Sequence, residues 1–292
     1  MVKYRRIASI SIPLLLAIII ALLLYYTYNP GTSESKNDYF SIPRDFVKAI
    51  EHLKNSVYSL TNASEGFSYM SIPMKDLEDL YTRLEEYSLG IDVGYGSLGN
   101  KLMEAARNYA LCVNASKDIA STLPIVANTS KILREALRDL QLCRIDKALE
   151  EYSRVRESVE YIMDNLGKAS INLISIDPKA LLSNKHREVV NLSIDRVVDT
   201  LDMYRSIDRL FNIVESYRNL LKIACSGKGI DRGSGMNIIN SLNSIQGSGE
   251  LAWEIVNTKN TIVDMIKKSM LSNESSEAQG NGAGYVAPKS DD

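Results

Sequence analysis

Tryptophan occurs once in the 292 residues, at Trp253, histidine twice and cysteine three times. These scarcities exclude whole classes of chemistry. Three cysteines cannot supply the multiple bridges that staple a small secreted domain, and His52 and His186 stand far apart, outside any His-Glu-x-x-His arrangement. No metal ligand set is therefore expected, and no Gly-x-Ser-x-Gly elbow marks a serine nucleophile. Long runs of one charge sign are also missing. The formal net charge is −2, and lysines and arginines alternate with acids, which argues against a nucleic-acid-binding surface.

One uncharged apolar run stands out, from Ile7 to Tyr28. At about 1.5 Å per residue its length as a helix is about 33 Å, enough to cross the hydrocarbon core of a bilayer. Lys3, Arg5 and Arg6 precede it and favour a cytoplasmic N-terminus, while Tyr25, Tyr26 and Tyr28 sit where an interfacial aromatic belt belongs. The expectation is a short cytoplasmic segment (1–6), a single-pass signal-anchor helix (7–28), a linker (29–40) and an extracytoplasmic remainder. A cleaved secretory signal competes with this reading, but its apolar region is usually shorter. Around Arg6-Ile7-Ala8 the chain resembles the processing site of archaeal prepilins, although nothing downstream resembles a pilin. Abundant Ile and Tyr with little Gln give the chain a composition similar to that of thermophilic archaeal surface proteins. Setting aside the three leading basic residues leaves a net −5, so the expected partners are proteins or the cell surface itself.

After Ser41 the apolar residues recur every three or four positions, the period of amphipathic helices, and no strand alternation is visible. The fold class expected is all-α: an elongated helical bundle with long, coiled-coil-like helices. Shorter helices are expected over 41–122 and long antiparallel ones over 123–272. The first helix opens at Ser41-Ile42-Pro43 and carries Phe46, Ile50, Leu53, Val57 and Leu60. A second opens at Ser71-Ile72-Pro73 with Leu77, Leu80, Leu84 and Tyr87, and a third stripe runs from Leu98 to Ile119. Leu123-Pro124 reads as a turn, with Asn128-Thr129-Ser130 capping a helix that continues to about Gly167. A helix from Lys185 to Cys225 follows, then a glycine-rich reversal over 227–235 and a last helix broken once at Gly247-Ser248-Gly249. The small, polar stretch 273–292 is expected to be a disordered tail.

Folding the chain back near residue 127 would bring Cys112 and Cys143 to one height on neighbouring helices. A disulfide between them is the expectation, weighed against three buried free thiols. Five Asn-x-Ser sequons, at Asn62, Asn114, Asn128, Asn191 and Asn273, suit an exterior location, with Asn62 and Asn273 favoured as acceptors because both fall at expected loops or ends.

Catalysis finds no foothold in the sequence. Gly94 to Gly99 has the spacing of a dinucleotide-binding loop but follows a helix rather than a strand, so it is read as a connector. Ser33 and Lys36 share Ser-x-x-Lys spacing within a linker. Asp76, Glu78, Asp79, Glu85 and Glu86 alternate with an apolar stripe and are read as the wet side of a helix. Tyrosines along the stripes are expected at the core rim with their hydroxyls in water. No catalytic residue, cofactor or small-molecule ligand is predicted. The expected function is a non-catalytic structural, tethering or protein-interaction component of the cell surface, acting with a protein partner or as a homo-oligomer. The alternative is a ligand-sensing bundle that resembles the helical sensor domains of chemoreceptors and histidine kinases.

Overall fold

A computed structural model describes residues 41–65, 69–91 and 96–281 of the chain. The proposed anchor (7–28), its linker and Ser33 and Lys36 lie outside the described residues. Among the described residues the fold is all-helical, and none of the helices is long and apolar enough to cross a membrane.

Eight α-helices follow one another: α1 (Ser41–Ser64), α2 (Met74–Ser88), α3 (Ser97–Gln141), α4 (Ile145–Ile174), α5 (Asn184–Ser216), α6 (Arg218–Cys225), α7 (Arg232–Asn243) and α8 (Ala252–Asn281). A 3-10 turn, Pro178–Ala180, joins α4 to α5. The stripes read for α1 and α2 are buried as expected, from Phe46 to Leu60 and from Leu77 to Tyr87. The two Ser-Ile-Pro triplets do different work. Ser41 begins α1 with Pro43 in its first turn, whereas α2 begins only at Met74, with Pro73 as its extended N-cap. The five acids of α2 and its first turn are all exposed, on the face opposite Leu77, Leu80 and Leu84.

The main departure from expectation is α3. It runs unbroken for 45 residues, straight through Leu123-Pro124 and through the boundary expected between 122 and 123. The Pro124 ring is exposed, and the hydroxyls of Ser121 and Thr122 in the preceding turn bond to the carbonyls of Asp118 and Ile119 at 2.7 Å. A proline inside a helix loses one backbone bond and crowds the carbonyl four residues back, a cost that the packing of α3 against its neighbours outweighs here. Alanines 105, 106, 110, 115, 120 and 136 are buried around several sides of α3. Small side chains let neighbours approach closely, and α1, α2, α4 and α8 all pack against this helix. A central rod buried on several sides replaces the two-helix seam that a coiled coil would present.

The chain reverses instead at Leu142-Cys143-Arg144. Cys143 adopts φ 59°, the one non-glycine residue with positive φ among the described residues. Its N–H donates to the Leu140 carbonyl (3.1 Å), and the Arg144 N–H to that of Asp139 (2.9 Å). This is the Schellman pattern of helix termination, in which glycine usually takes the left-handed position. The same pattern ends α2 at Gly90 and α6 at Gly227. The signal was missed at Cys143 because the residue there is not glycine.

From this reversal α4 descends antiparallel along α3, with Asn172 donating to Asp118 (3.0 Å). It continues past Gly167 to Ile174, and α5 climbs back antiparallel to α4. The expected 185–225 helix is interrupted at Tyr217, and its inward stripe from Val190 to Leu221 is otherwise buried or half-buried. The reversal expected over 227–235 is shorter, since α7 already begins at Arg232 and takes Gly233 and Gly235 into its first turn, while the break near Gly247 occurs as expected. α7 and α8 form an antiparallel hairpin so tight that a Cβ on Gly235 would collide with Met270 Sδ. The expected tail is also corrected, since α8 keeps helical backbone to Asn281; residues 282–292 lie outside the described residues.

The left-handed backbone at position 143 gives a direct prediction. With the bridge removed in both cases, Cys143→Gly/Cys225→Ala should exceed Cys143→Ala/Cys225→Ala in stability by about 1 kcal/mol, because only glycine adopts this φ without strain. Urea unfolding of the two variants measures the difference.

Candidate functional site

Cys143 pairs with Cys225, not with Cys112, and the Cα–Cα separation is 5.6 Å. The expected Cys112–Cys143 bridge is ruled out by the continuity of α3. Both residues lie on or just beyond one continuous helix, so at about 1.5 Å per residue their 31 positions span about 46 Å, far beyond disulfide reach. Cys112 is free and fully buried, and burial pushes its thiol up to about 12. The bridge ties the α3–α4 reversal to the end of α6. Met265 of α8 packs its sulfur against both half-cystines, 3.2 Å from Cys143 Sγ and 3.1 Å from Cys225 Sγ.

Ion pairs reinforce the same joint. Asp146, in the first turn of α4, accepts from Arg218 Nε and Lys222 Nζ of α6, both at 2.7 Å. Its carboxyl is held below the usual range by these two hydrogen bonds, Lys222 foremost. On the other side of the reversal, buried Asp139 meets Lys147 at 2.7 Å and Arg144 at 3.3 Å. Burial opposes ionisation of Asp139, but the two cations outweigh it and its pKa is lowered. Lys147 also reaches Glu151 at 3.3 Å, whose second oxygen, Oε2, is buried without a hydrogen-bond partner.

Three further polar groups sit deeper, and all are engaged. Asp45 accepts from Arg83 Nε (3.0 Å) and from the Tyr87 hydroxyl (3.3 Å). Tyr152 donates to Asp208 Oδ1 (2.5 Å) while stacking on Phe211 with centroids 4.3 Å apart, and Asn212 occupies Asp208 Oδ2 at 2.9 Å. Tyr109, stacked on Phe46 at 4.4 Å, accepts from the Leu182 N–H (3.0 Å) and meets His186 Nδ1 at 2.6 Å. The tyrosine hydroxyl thus bridges the Leu182 backbone and the His186 ring, tying α3 to the start of α5. These tyrosines are not rim residues. Tyr109 and Tyr204 are fully buried, with Tyr204 paired to Ser130 at 3.1 Å, and burial raises both phenols.

A surface cleft of about 760 Å³ is lined chiefly by α4 and α5 residues including Arg205, Asp208, Arg209 and Asn212. Asp208 has both oxygens committed there, so it is poorly placed to act as a base. Among the described residues no three of His, Cys, Asp and Glu converge as a metal set. His52 is half-buried on α1, and desolvation lowers its pKa against the opposing fields of Asp76 and Glu51. Of the nucleotide-loop glycines, Gly96 is the N-cap of α3 with φ 134°, and α2 precedes it. A dinucleotide needs a strand there to deliver its pyrophosphate.

The sequons fall differently from expectation. Asn128 and Asn191 are exposed on helix faces, whereas Asn62, Asn114 and Asn273 are half-buried. Asn62 does lie in the last turn of α1, but its side-chain amide donates to the Tyr58 carbonyl at 2.9 Å. Asn273 packs so closely on Gly229 that a Cβ there would lie 2.6 Å from it.

Alkylation of the native chain should label no cysteine, and reduction should expose Cys143 and Cys225 while leaving Cys112 protected. With the bridged cysteines 82 positions apart, reduction should cost about 4.5 kcal/mol, read as a fall in the urea midpoint. Burial lowers His186, so the unfolded chain takes up the proton more readily than the folded one, and stability falls as pH drops below about 6.5. His52 has the same sign. A His52→Gln/His186→Gln variant should therefore lose less stability than the parent between about pH 7 and 5.5. Equal losses in the two chains would refute this.

Compared with family models, with characterised proteins and with solved structures, the chain matches none.

Proposed function

We propose that this chain is a membrane-anchored extracytoplasmic helical protein that holds or recruits another component of the cell surface without catalysing a reaction. The observation that carries this reading is the pairing of two independent features. Residues 7–28 form an apolar run behind basic residues, and the folded part contains a Cys143–Cys225 disulfide. Stable disulfides belong to oxidising compartments outside the cytoplasm, where the charge pattern of the N-terminus also directs the chain. The deep polar groups add support, because Asp45, Asp208 and Tyr109 spend their hydrogen-bonding capacity joining helices together. A rigid body with its polar groups turned inward suits display.

The α4–α5 cleft keeps a second reading in view, that of a ligand-sensing bundle acting through a separate subunit. A small anionic metabolite would meet Arg205 and Arg209 there. A thermal-shift screen separates the readings, since a ligand at 100 times its dissociation constant adds about 2.7 kcal/mol of stability.

The tethering reading predicts that the full chain stays with membranes through carbonate washing and is released by detergent. Chemical cross-linking in those membranes should return one recurring protein partner or a defined homo-oligomer. Recovery of the chain only as a monomer would count against a tether, and recovery in the soluble fraction would count against the anchor.

A further inference from the structure

Three aliphatic side chains stand in water at one end of the bundle: Leu89 is 72% exposed, Ile91 49% and Leu98 71%. They flank the connection between α2 and α3. Gly90, at φ 85°, ends α2, and the Ile91 N–H donates to the Glu86 carbonyl at 3.0 Å. In this helix-ending motif the residue after the left-handed position usually packs on the residue whose carbonyl it caps. Here that residue is Glu86, which is charged, so Ile91 lacks its customary apolar neighbour.

The chain enters the described structure at the same end. One turn into α1, Asp45 accepts from Tyr87, two residues before Leu89, and Phe46 stacks on Tyr109 of α3. Met103 Sδ of α3 lies 3.6 Å from where a Cβ on Gly90 would be. Ser41, Leu89, Ile91 and the first turns of α3 therefore share one end of the molecule. Twelve residues, 29–40, separate Ser41 from the apolar run, and fully extended they span about 40 Å.

We infer that Leu89, Ile91 and Leu98 seat in the interfacial layer of the bilayer that holds residues 7–28, so that the bundle stands on the membrane by this end. The inference rests on the anchored reading above. The occupant is lipid because the linker delivers this end to the membrane surface, and tethering makes even weak insertion effective through high local concentration. Charge plays little part. Lys101 and Arg107 near this end are offset by Glu85, Glu86 and Glu104, so a neutral bilayer suffices.

The single tryptophan supplies the control. Trp253 is 72% exposed and three residues past Glu250, which accepts a hydrogen bond from Ser64 at the far end of α1, about 35 Å from Ser41 along a 24-residue helix. The full chain is reconstituted in phosphatidylcholine vesicles with acyl chains brominated near the headgroup, as the parent and as Trp253→Phe carrying Leu98→Trp or Leu89→Trp. Both introduced tryptophans replace exposed side chains, and circular dichroism verifies the fold.

The expected result is emission from Leu98→Trp and Leu89→Trp that falls about twofold or more in brominated relative to ordinary lipid, as for side chains seated at the acyl boundary, with Trp253 unchanged. Unquenched emission from both variants in vesicle-bound protein overturns the docking and leaves the anchor standing. Blue-shifted but unquenched emission assigns this end to a protein contact and likewise overturns it. Failure of the parent to float with vesicles overturns the anchor and the docking together.

Discussion

The reversal at Cys143 is the constraint on which the architecture depends. A left-handed residue ends α3 after 45 residues and turns α4 back along it, and the disulfide from that same residue fixes the end of α6 beside the turn. Asp139, Lys147 and Arg144 surround it on one side, and Asp146 with Arg218 and Lys222 on the other. The strain of a non-glycine residue at positive φ is held because three helices and a covalent bond over-determine the position. Met265 then brings α8 onto the same joint.

Below that joint the helices are aligned by polar contacts as much as by apolar packing. Hydrophobic faces are tolerant of sliding, because one leucine packs nearly as well against another a turn away. A hydrogen bond between buried groups is not, since a missed partner leaves a desolvated polar atom. Tyr109 with His186 and Leu182, Tyr152 with Asp208, and Asp45 with Arg83 and Tyr87 each fix one helix against another at a single height.

Much of the helical architecture was legible in the sequence. The stripes of α1, α2 and α5 have one apolar face each, so their period and their inward residues are the same fact stated twice. The turn that begins at Gly227 and the break near Gly247 follow from glycine's conformational freedom, which Gly227 and Gly249 use at positive φ. α3 is not legible in the same way, because a helix buried on several sides has no single stripe and a proline held inside a helix looks locally like one that ends it. The expected cysteine pairing failed with it, since the partner of Cys143 depends on where the chain turns. The favoured sequons, Asn62 and Asn273, were chosen for nearness to expected ends, and burial proved independent of that.

What the sequence by itself determined is local: a helical chain with a 22-residue apolar run near its start, breaks at some of its glycines, and few histidines and cysteines. Each depends on residue type and spacing within a few turns. Tertiary structure alone decided which cysteines meet, which tyrosines are fully buried, and which aliphatic residues are left in water at the end where the chain enters. Those properties depend on neighbours distant in sequence. Cys143 and Cys225 are separated by 82 residues and Tyr109 and His186 by 77, and no local period encodes such distances.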